Sequence, residues 1–202
     1  MSTREFWDQR YADAAYAYGT QPNAGLVALE PRLPRGARIL VPGDGEGRNS
    51  VWLAARGHQV TALDQSAVGL AKAARLAAAQ GVRLHTELAD LADFVPEPAS
   101  VDALVLIYVH LPPEWRQAAH RRLQTALKPG GMLILEGYAR AHAGLPGGGP
   151  RDPAWLYEAD MLRQDFDACE LAIEALDTVL DEGPCHQGAA RVLRVHGRRR
   201  AA

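Results

Sequence analysis

From Arg38 to Glu136 short apolar runs alternate with stretches patterned for helix, and this rhythm limits the fold more than any other feature of the chain. Arg38 to Val41 is apolar and stops at Pro42-Gly43, which reads as a strand entering a glycine-rich turn. Ser50 to Arg56 reads as helix closed by Gly57, and Gln59 to Leu63 as a second strand ending at Asp64. Ser66 is placed to cap an alanine-rich helix that runs to Gln80 and stops at Gly81. Val82 to Leu88 alternates as a third strand. Val101 to Tyr108 is continuously apolar after Asp102, the pattern of a strand buried on both faces. Pro113 to Leu127 reads as helix; after Lys128-Pro129-Gly130-Gly131 a fifth strand runs from Met132 to Glu136. Strands alternating with helices imply an α/β domain with a doubly wound, mostly parallel sheet, and right-handed crossovers prune its topology.

The flanks break the rhythm. Phe6, Trp7, Tyr11, Tyr16 and Tyr18 crowd the first 18 positions, followed by Gly19-Thr20-Gln21-Pro22-Asn23 and a short amphipathic helix around Leu26, Val27 and Leu29. Ala141 to Asp152 is rich in glycine and proline and reads as a mobile loop. Tyr157 to Phe166 reads as helix, and Leu171 to Leu180 with Ala190 to His196 as a closing pair of strands. With 202 residues, 48% hydrophobic and 23% charged, the chain suits one domain over 1–202.

Net charge is −2, so no strong field invites a polyanion and no nucleic-acid partner is expected. Arg194, Arg198, Arg199 and Arg200 read as a solvated basic tail. Cys169 and Cys185 read as free thiols in a reducing compartment. The charged start lacks an apolar signal core, and no stretch approaches the roughly 20 apolar residues of a membrane span. The expectation is a cytoplasmic protein with no membrane partner; the sequence leaves the oligomeric state open.

In an open parallel sheet, ligands bind beyond the carboxyl ends of the strands. Gly43-Asp44-Gly45-Glu46-Gly47 follows the first strand, where glycine lets the backbone approach a ligand. Asp64 ends the second strand; an acid there accepts hydrogen bonds from ribose hydroxyls, and Ser66 is available for the alternative role of helix cap. Asp90 follows the third strand, where it suits either an adenine amine or a helix start, and Leu91 offers a backbone N–H. Tyr108 to Pro113 follows the fourth. Together these ends describe an adenosine pocket. A dinucleotide fingerprint wants glycine at its sixth position, which here is Arg48, and no phosphate-binding G-x-x-x-x-G-K-[ST] is present.

ILVPGDGEGRN at 39–49, followed by RGHQVTALDQSAVGLAKA at 56–73, resembles the class I S-adenosylmethionine-dependent methyltransferases. The resemblance is to their small bacterial branch of tellurite-resistance-type and thiopurine-type enzymes. It continues through YVHLPPEWR at 108–116, LKPGGMLILEGY at 127–138 and EGPCHQGAARVLRV at 182–195. It implies a Rossmann-like, seven-stranded sheet whose last strand is antiparallel, with S-adenosyl-L-methionine as cofactor. Cofactor contacts are implied for Tyr11, Gly43, Asp44, Gly45, Gly47, Asn49, Asp64, Gln65, Asp90, Leu91 and Ile107, with residues 1–30 folded over the cofactor as a lid. One position departs from the family: where an acid helps hold the cofactor's amino group, this chain has Val41, leaving Asp44 or Glu46 to substitute.

Methyl transfer asks for alignment, exclusion of water and sometimes removal of a proton. Aromatic faces such as Trp7, Tyr11 and Tyr16 suit a sulfonium as well as they suit a plain hydrophobic cap. His110, Tyr138 and His186 are the catalytic candidates. Each has a plainer reading: His110 as a cap on the Pro112-Pro113 helix, Tyr138 as packing, His186 as a solvated turn residue. Glu136 is a further acid near the site, and Arg151 either holds an anionic acceptor or is solvated. No metal is expected: His110 and His120 are wrongly spaced and neither cysteine sits in a C-x-x-C. HLPP stands where base-amine methyltransferases carry N/D-P-P-Y/F, and the near-neutral charge favours a small-molecule acceptor; the resemblance to the branch implies a thiol or chalcogen nucleophile. The alternatives are a carboxylate or hydroxyl acceptor, a non-catalytic cofactor-binding regulatory protein, and a nicotinamide oxidoreductase, which Arg48 disfavours.

Overall fold

The computed structural model describes residues 3–201; Met1, Ser2 and Ala202, the first two belonging to the expected lid, lie outside the described residues. Seven strands form one sheet in the order β3-β2-β1-β4-β5-β7-β6. They are β1 (Arg38–Pro42), β2 (Gln59–Asp64), β3 (His85–Leu88), β4 (Val101–Ile107), β5 (Leu127–Tyr138), β6 (Cys169–Asp181) and β7 (Gln187–Arg199). The pairs among β1 to β5 are parallel, and β7 runs antiparallel to both β5 and β6. The helices are α1 (Thr3–Arg10), α2 (Ala24–Leu29), α3 (Arg48–Ala55), α4 (Ala67–Ala79), α5 (Pro113–Gln124) and α6 (Ala159–Asp165).

The two-residue period of the strands divides the core between the two faces of the sheet. Leu40, Leu104, Leu106, Leu133 and Leu135 pack with Ala119 and Leu123 of α5 and with Leu162 of α6. Their neighbours Ile39, Val41, Ala103, Val105 and Ile134 pack the other way, against Leu26 and Leu29 of α2 and Leu53 of α3. From Ala103 to Ile107 β4 therefore has no polar face, as its apolar run demands. Truncating a fully buried leucine such as Leu104 costs about 2–5 kcal/mol.

Ser66 caps α4, its Oγ accepting from Gly69 N–H at 3.0 Å, and the buried face of α4 recurs at helical spacing through Leu70, Ala73, Leu76 and Ala77. Several sequence expectations shift. Lys128 to Gly131 lies within β5 rather than ahead of it, at an irregularity in the β4–β5 register. Leu127 already pairs with Val101, so α5 ends at Gln124. β3 is shorter than expected and β6 and β7 longer. The basic end is no solvated tail: Arg198, Arg199 and Arg200 donate to the carbonyls of Gly130, Thr125 and Cys169 respectively.

Within the glycine-rich segment 141–152, Ala143 to Pro146 is exposed, whereas Gly147 to Gly149 packs closely against the site. Tyr138 Oη donates to the Gly147 carbonyl at 2.7 Å and His142 Nε2 lies 2.8 Å from the Gly148 carbonyl. A Cβ on Gly148 would lie 2.5 Å from the Cys185 carbonyl oxygen. Glycine is there because the turn between β6 and β7 passes too close for any side chain.

Candidate active site

The strand ends build one cavity of about 540 Å³. A second, more open hollow of about 700 Å³ lies at the amino ends of the strands, against Arg38, Gln59 and Thr61. The first holds the residues singled out from sequence, and it lies where parallel sheets bind ligands. Tyr11, Gly43, Asp44, Asn49, Asp64, Gln65, Asp90, Leu91 and Ile107 all line it, as do His110, Tyr138 and His186. Gly45 and Gly47 do not: Gly47 packs on Ala73, and a Cβ on Gly45 would meet the Tyr11 hydroxyl at 2.5 Å.

Two buried carboxylates organise the polar end. Asp64 Oδ2 accepts from Gly45 N–H and Oδ1 from Ser66 N–H, both at 2.8 Å. Burial pushes its carboxyl up to about 6 against these hydrogen bonds. Asp44 accepts from the backbone N–H and the hydroxyl of Ser50, and burial pushes it up to about 7. Asp90 Oδ1 accepts from Ala92 N–H at 2.9 Å, so it shapes its own turn while lining the cavity. Asn49 Oδ1 accepts from Asn23 N–H at 2.9 Å. Val41 is buried in the core, and Glu46 is paired with Lys72, so of the two acids offered as substitutes only Asp44 is free of a cation.

The N-terminal segment lies over this end. Trp7 stacks on Tyr11 with ring centroids 5.5 Å apart, and Trp7, Tyr11 and Tyr18 line the cavity. Asp8 Oδ1 accepts from Ser66 Oγ at 2.6 Å, Gln65 Oε1 from Thr3 Oγ1 at 3.1 Å. Lys72, buried on α4, donates to the carbonyls of Asp13 and Ala15 at 2.8 and 2.6 Å. Tyr16 does not line the cavity; Lys72 Nζ sits 4.8 Å from its ring centroid.

The opposite end is aromatic. Tyr108 follows β4 with φ +56°, an unfavourable backbone state for a bulky residue and one found at functional turns. Its hydroxyl donates to Glu136 Oε1 at 3.3 Å, and its ring meets those of Tyr138 and His186 at 4.8 and 4.4 Å. The general-base expectation for His110 needs correction. Nδ1 lies 2.9 Å from the Trp155 carbonyl, so that nitrogen carries the proton, while Nε2 accepts from Tyr138 N–H at 3.1 Å. Both nitrogens are occupied, and burial pulls the imidazole down to about 4. The Tyr138 hydroxyl is spent on Gly147, and burial holds its phenol well above the ordinary range. His186 is no solvated turn residue: it is buried beside Tyr18 at 4.6 Å, its Nδ1 has no partner, and burial pulls it down to about 3. Arg151 is exposed and does not line the cavity.

Sequence reasoning missed the charged network behind Tyr108. Asn23 Nδ2 donates to Glu136 Oε1 at 2.7 Å and to Glu182 Oε1 at 3.0 Å. Arg194 pairs with Glu136 at 2.7 Å and Arg48 with Glu182 at 2.8 Å. Arg10, Arg48, Trp115, Trp155 and Cys185 also line the cavity. Among the described residues no group of three or more His, Cys, Asp or Glu is placed to hold a metal ion, and no helix is long and apolar enough to cross a membrane.

Residues 39–131 match a family model described as a methyltransferase domain. The tRNA 5-carboxymethoxyuridine methyltransferase of Escherichia coli K12 is 35% identical over 113 residues, 52% of this chain and 41% of that protein. The chain thus spans less than half the length of that relative. A thiopurine S-methyltransferase of Aliivibrio fischeri is 31% identical over 150 residues, 65% of this chain and 70% of that one. The Burkholderia thailandensis 1,6-didemethyltoxoflavin-N1-methyltransferase, solved with S-adenosylhomocysteine, superposes with a TM-score of 0.68 at 18% identity, covering 98% of this chain and 87% of that one. A tRNA methyltransferase among the relatives leaves the expected exclusion of nucleic acid unsupported. The architecture, the matched domain and these relatives agree: the chain belongs to the class I S-adenosylmethionine-dependent methyltransferases.

Proposed function

We propose that this protein binds S-adenosylmethionine at the carboxyl ends of β1, β2 and β4 and methylates a small-molecule acceptor whose nucleophile arrives ionised. The observation that supports the reading is the convergence of the glycine turn, Asp64, Asp90 and Leu91 on one cavity roofed by Trp7, Tyr11 and Tyr18. Its volume of about 540 Å³ falls within the range of small-molecule sites. S-adenosylmethionine supplies, when bound, an electrophilic methyl group on a sulfonium.

The residues present fit that group. Asp64 keeps spare lone pairs for two ribose hydroxyls, since each carboxylate oxygen accepts more than one hydrogen bond. Asp90 and Leu91 serve the adenine, Gly43, Asn49, Gln65 and Ile107 shape the walls, and Asp44 is the acid left for an ammonium. Gly45 and Gly47 act indirectly, by letting Tyr11 and α4 close on the turn. The faces of Trp7, Tyr11 and Tyr108 suit a cation. Residues 3–30 act as the lid that excludes water.

Acceptor chemistry follows from the state of the candidate bases. His110 has no free lone pair, Tyr138 is committed, and His186 is neutral and too weak a base to hold a proton at neutral pH. Such a site suits a thiolate, selenolate or carboxylate better than a hydroxyl. His110 and Tyr138 then position the cavity wall, and His186 contacts the acceptor. The test is calorimetry with S-adenosylhomocysteine, followed by a screen of thiols, selenide, carboxylates, alcohols and RNA that monitors S-adenosylhomocysteine release. Absence of cofactor binding sinks the reading. Activity on RNA alone replaces its small-molecule acceptor.

A further inference from the structure

The cavity wall holds one buried cation whose side chain has a single ionic partner and no hydrogen bond beyond it. Arg48 is 6% exposed and lines the cavity. Its Nη1 lies 2.8 Å from Glu182 Oε2, yet this buried nitrogen has no hydrogen-bond partner. A guanidinium carries five N–H donors in a rigid fork, and the side chain of Arg48 makes no other polar contact among the described residues.

Among the described residues, the other buried cation, Lys72, and the half-buried Arg116 are satisfied. Lys72 has Glu46 and two close carbonyls, and Arg116 donates through Nε and Nη2 to Asp165. Arg48 is the exception, and a buried charge with idle donors is costly unless another partner reaches it.

Its surroundings fix where that partner comes from. Glu182 does not line the cavity; it backs the guanidinium and is held there by Asn23 Nδ2 at 3.0 Å and Ala24 N–H at 3.3 Å. The charge is balanced from behind while the side chain borders open space. His186 Nδ1, also buried and unpartnered, lies on the same wall with Tyr18, Tyr108 and Tyr138. A planar fork with free donors beside aromatic faces matches a carboxylate, which accepts two parallel hydrogen bonds.

We propose that Arg48 anchors a carboxylate-class anion in this cavity, carried by the methyl acceptor or by the methionine end of the cofactor. Both sources rest on the methyltransferase reading above; the anion site itself does not. Glu182 competes with the incoming anion for the same fork, so the pair acts as a balanced receptor.

The test is calorimetry on the full chain with two matched pairs of probes: benzoate against benzyl alcohol, and S-adenosylmethionine against its decarboxylated analogue. The wild type should prefer the carboxylate in at least one pair by about tenfold or more, and Arg48→Lys, which keeps the charge but not the fork, should remove most of that preference. Glu182→Gln keeps an acceptor for Asn23 but frees the guanidinium, and should strengthen the preferred carboxylate several-fold. A preference confined to benzoate assigns the anion to the acceptor, and one confined to S-adenosylmethionine assigns it to the cofactor. No preference in either pair, preference unchanged in Arg48→Lys, or Glu182→Gln binding no tighter each overturns the proposal. Should Arg48→Lys not fold, Glu182→Gln decides alone. Failure of both cofactor forms to bind while benzoate still binds defeats the methyltransferase reading and leaves the anion site standing.

Discussion

Glu46, in the glycine-rich turn, and Lys72, on α4, form an ion pair with both side chains buried beneath residues 11–18. Lys72 also donates to the carbonyls of Asp13 and Ala15, while Glu46 accepts from Ala17 N–H at 2.8 Å. One pair thus joins the glycine-rich turn, a core helix and the segment above the cavity.

Lys72→Met keeps much of the apolar stem but leaves the Glu46 carboxylate buried and alone. Breaking a buried pair in this way should cost about 3–5 kcal/mol in denaturant unfolding. Hydrogen exchange should accelerate across residues 11–18, and S-adenosylhomocysteine should slow that exchange in the wild type more than in the variant. Exchange indifferent to both substitution and ligand would make the segment a static cap.

Asp64 links ligand affinity to pH. On the proposed reading, ribose hydroxyls donate to the ionised carboxylate, which burial pushes up to about 6. Cofactor affinity should therefore fall as pH drops through 6, because the carboxyl must release its proton to bind. Asp64→Ala should weaken S-adenosylhomocysteine by about 2–3 kcal/mol at pH 7.5. It should also flatten the pH dependence. Unchanged calorimetric affinity in the variant removes Asp64 from the binding site.

Asp44 sets a conflict between stability and binding. Its carboxyl is raised from 3.8 to about 7 by burial, so the folded state holds a proton that the unfolded chain loses. Its contribution is favourable below about pH 4 and is lost as pH rises to 7. Asp44→Asn cannot ionise, so its unfolding free energy relative to wild type should rise across that window. The rise should reach about 4 kcal/mol at most, since each tenfold difference in proton affinity between folded and unfolded chain is worth about 1.4 kcal/mol. The same variant should bind S-adenosylmethionine more weakly. A relative stability that is flat with pH contradicts the account.

His110→Gln tests a tie rather than a base. The glutamine amide cannot reproduce the fixed geometry of the two ring nitrogens, so leaving at least one of Tyr138 N–H and the Trp155 carbonyl unsatisfied should cost about 1–3 kcal/mol at pH 7. The histidine's pKa is depressed to about 4, so the wild type itself loses stability as pH falls below 6.5, and the deficit of the variant should shrink over that range. On a thiol acceptor, kcat should fall less than about tenfold, below the 100-fold or more expected on losing a general base. A 100-fold loss restores His110 as the base.

The parts of the site that depend on neighbours in sequence were readable. Asp64 and Ser66 sit two residues apart, so strand end and helix cap are decided locally, and the glycine turn announces itself. Residues whose roles depend on distant partners were not. Arg48 reads from sequence only as an obstacle to a dinucleotide, because Glu182 reaches it from beyond β6. His110 reads as a base until the Trp155 carbonyl and Tyr138 N–H occupy it. α1 escapes periodicity because it buries no residue fully. Lys72 breaks the apolar stripe of α4, and only the carbonyls of a segment far earlier in the chain explain it.

The meeting of the two flanks has a consequence for the order of assembly. Cys185 N–H donates to the Ala17 carbonyl at 3.0 Å, and a Cβ on Gly183 would lie 2.3 Å from the Tyr18 carbonyl carbon. During synthesis, residues 17–23 leave the ribosome long before 182–186 exist. The central strands can pair early, but the cavity roof stays without its far support until the β6–β7 hairpin forms. Because such long-range closure comes late, a nascent chain halted before β6 would carry the glycine turn and Asp64 without Glu182, Cys185 or His186. Ligand-binding competence should then appear as the final event of biogenesis, after most of the hydrophobic core is already in place.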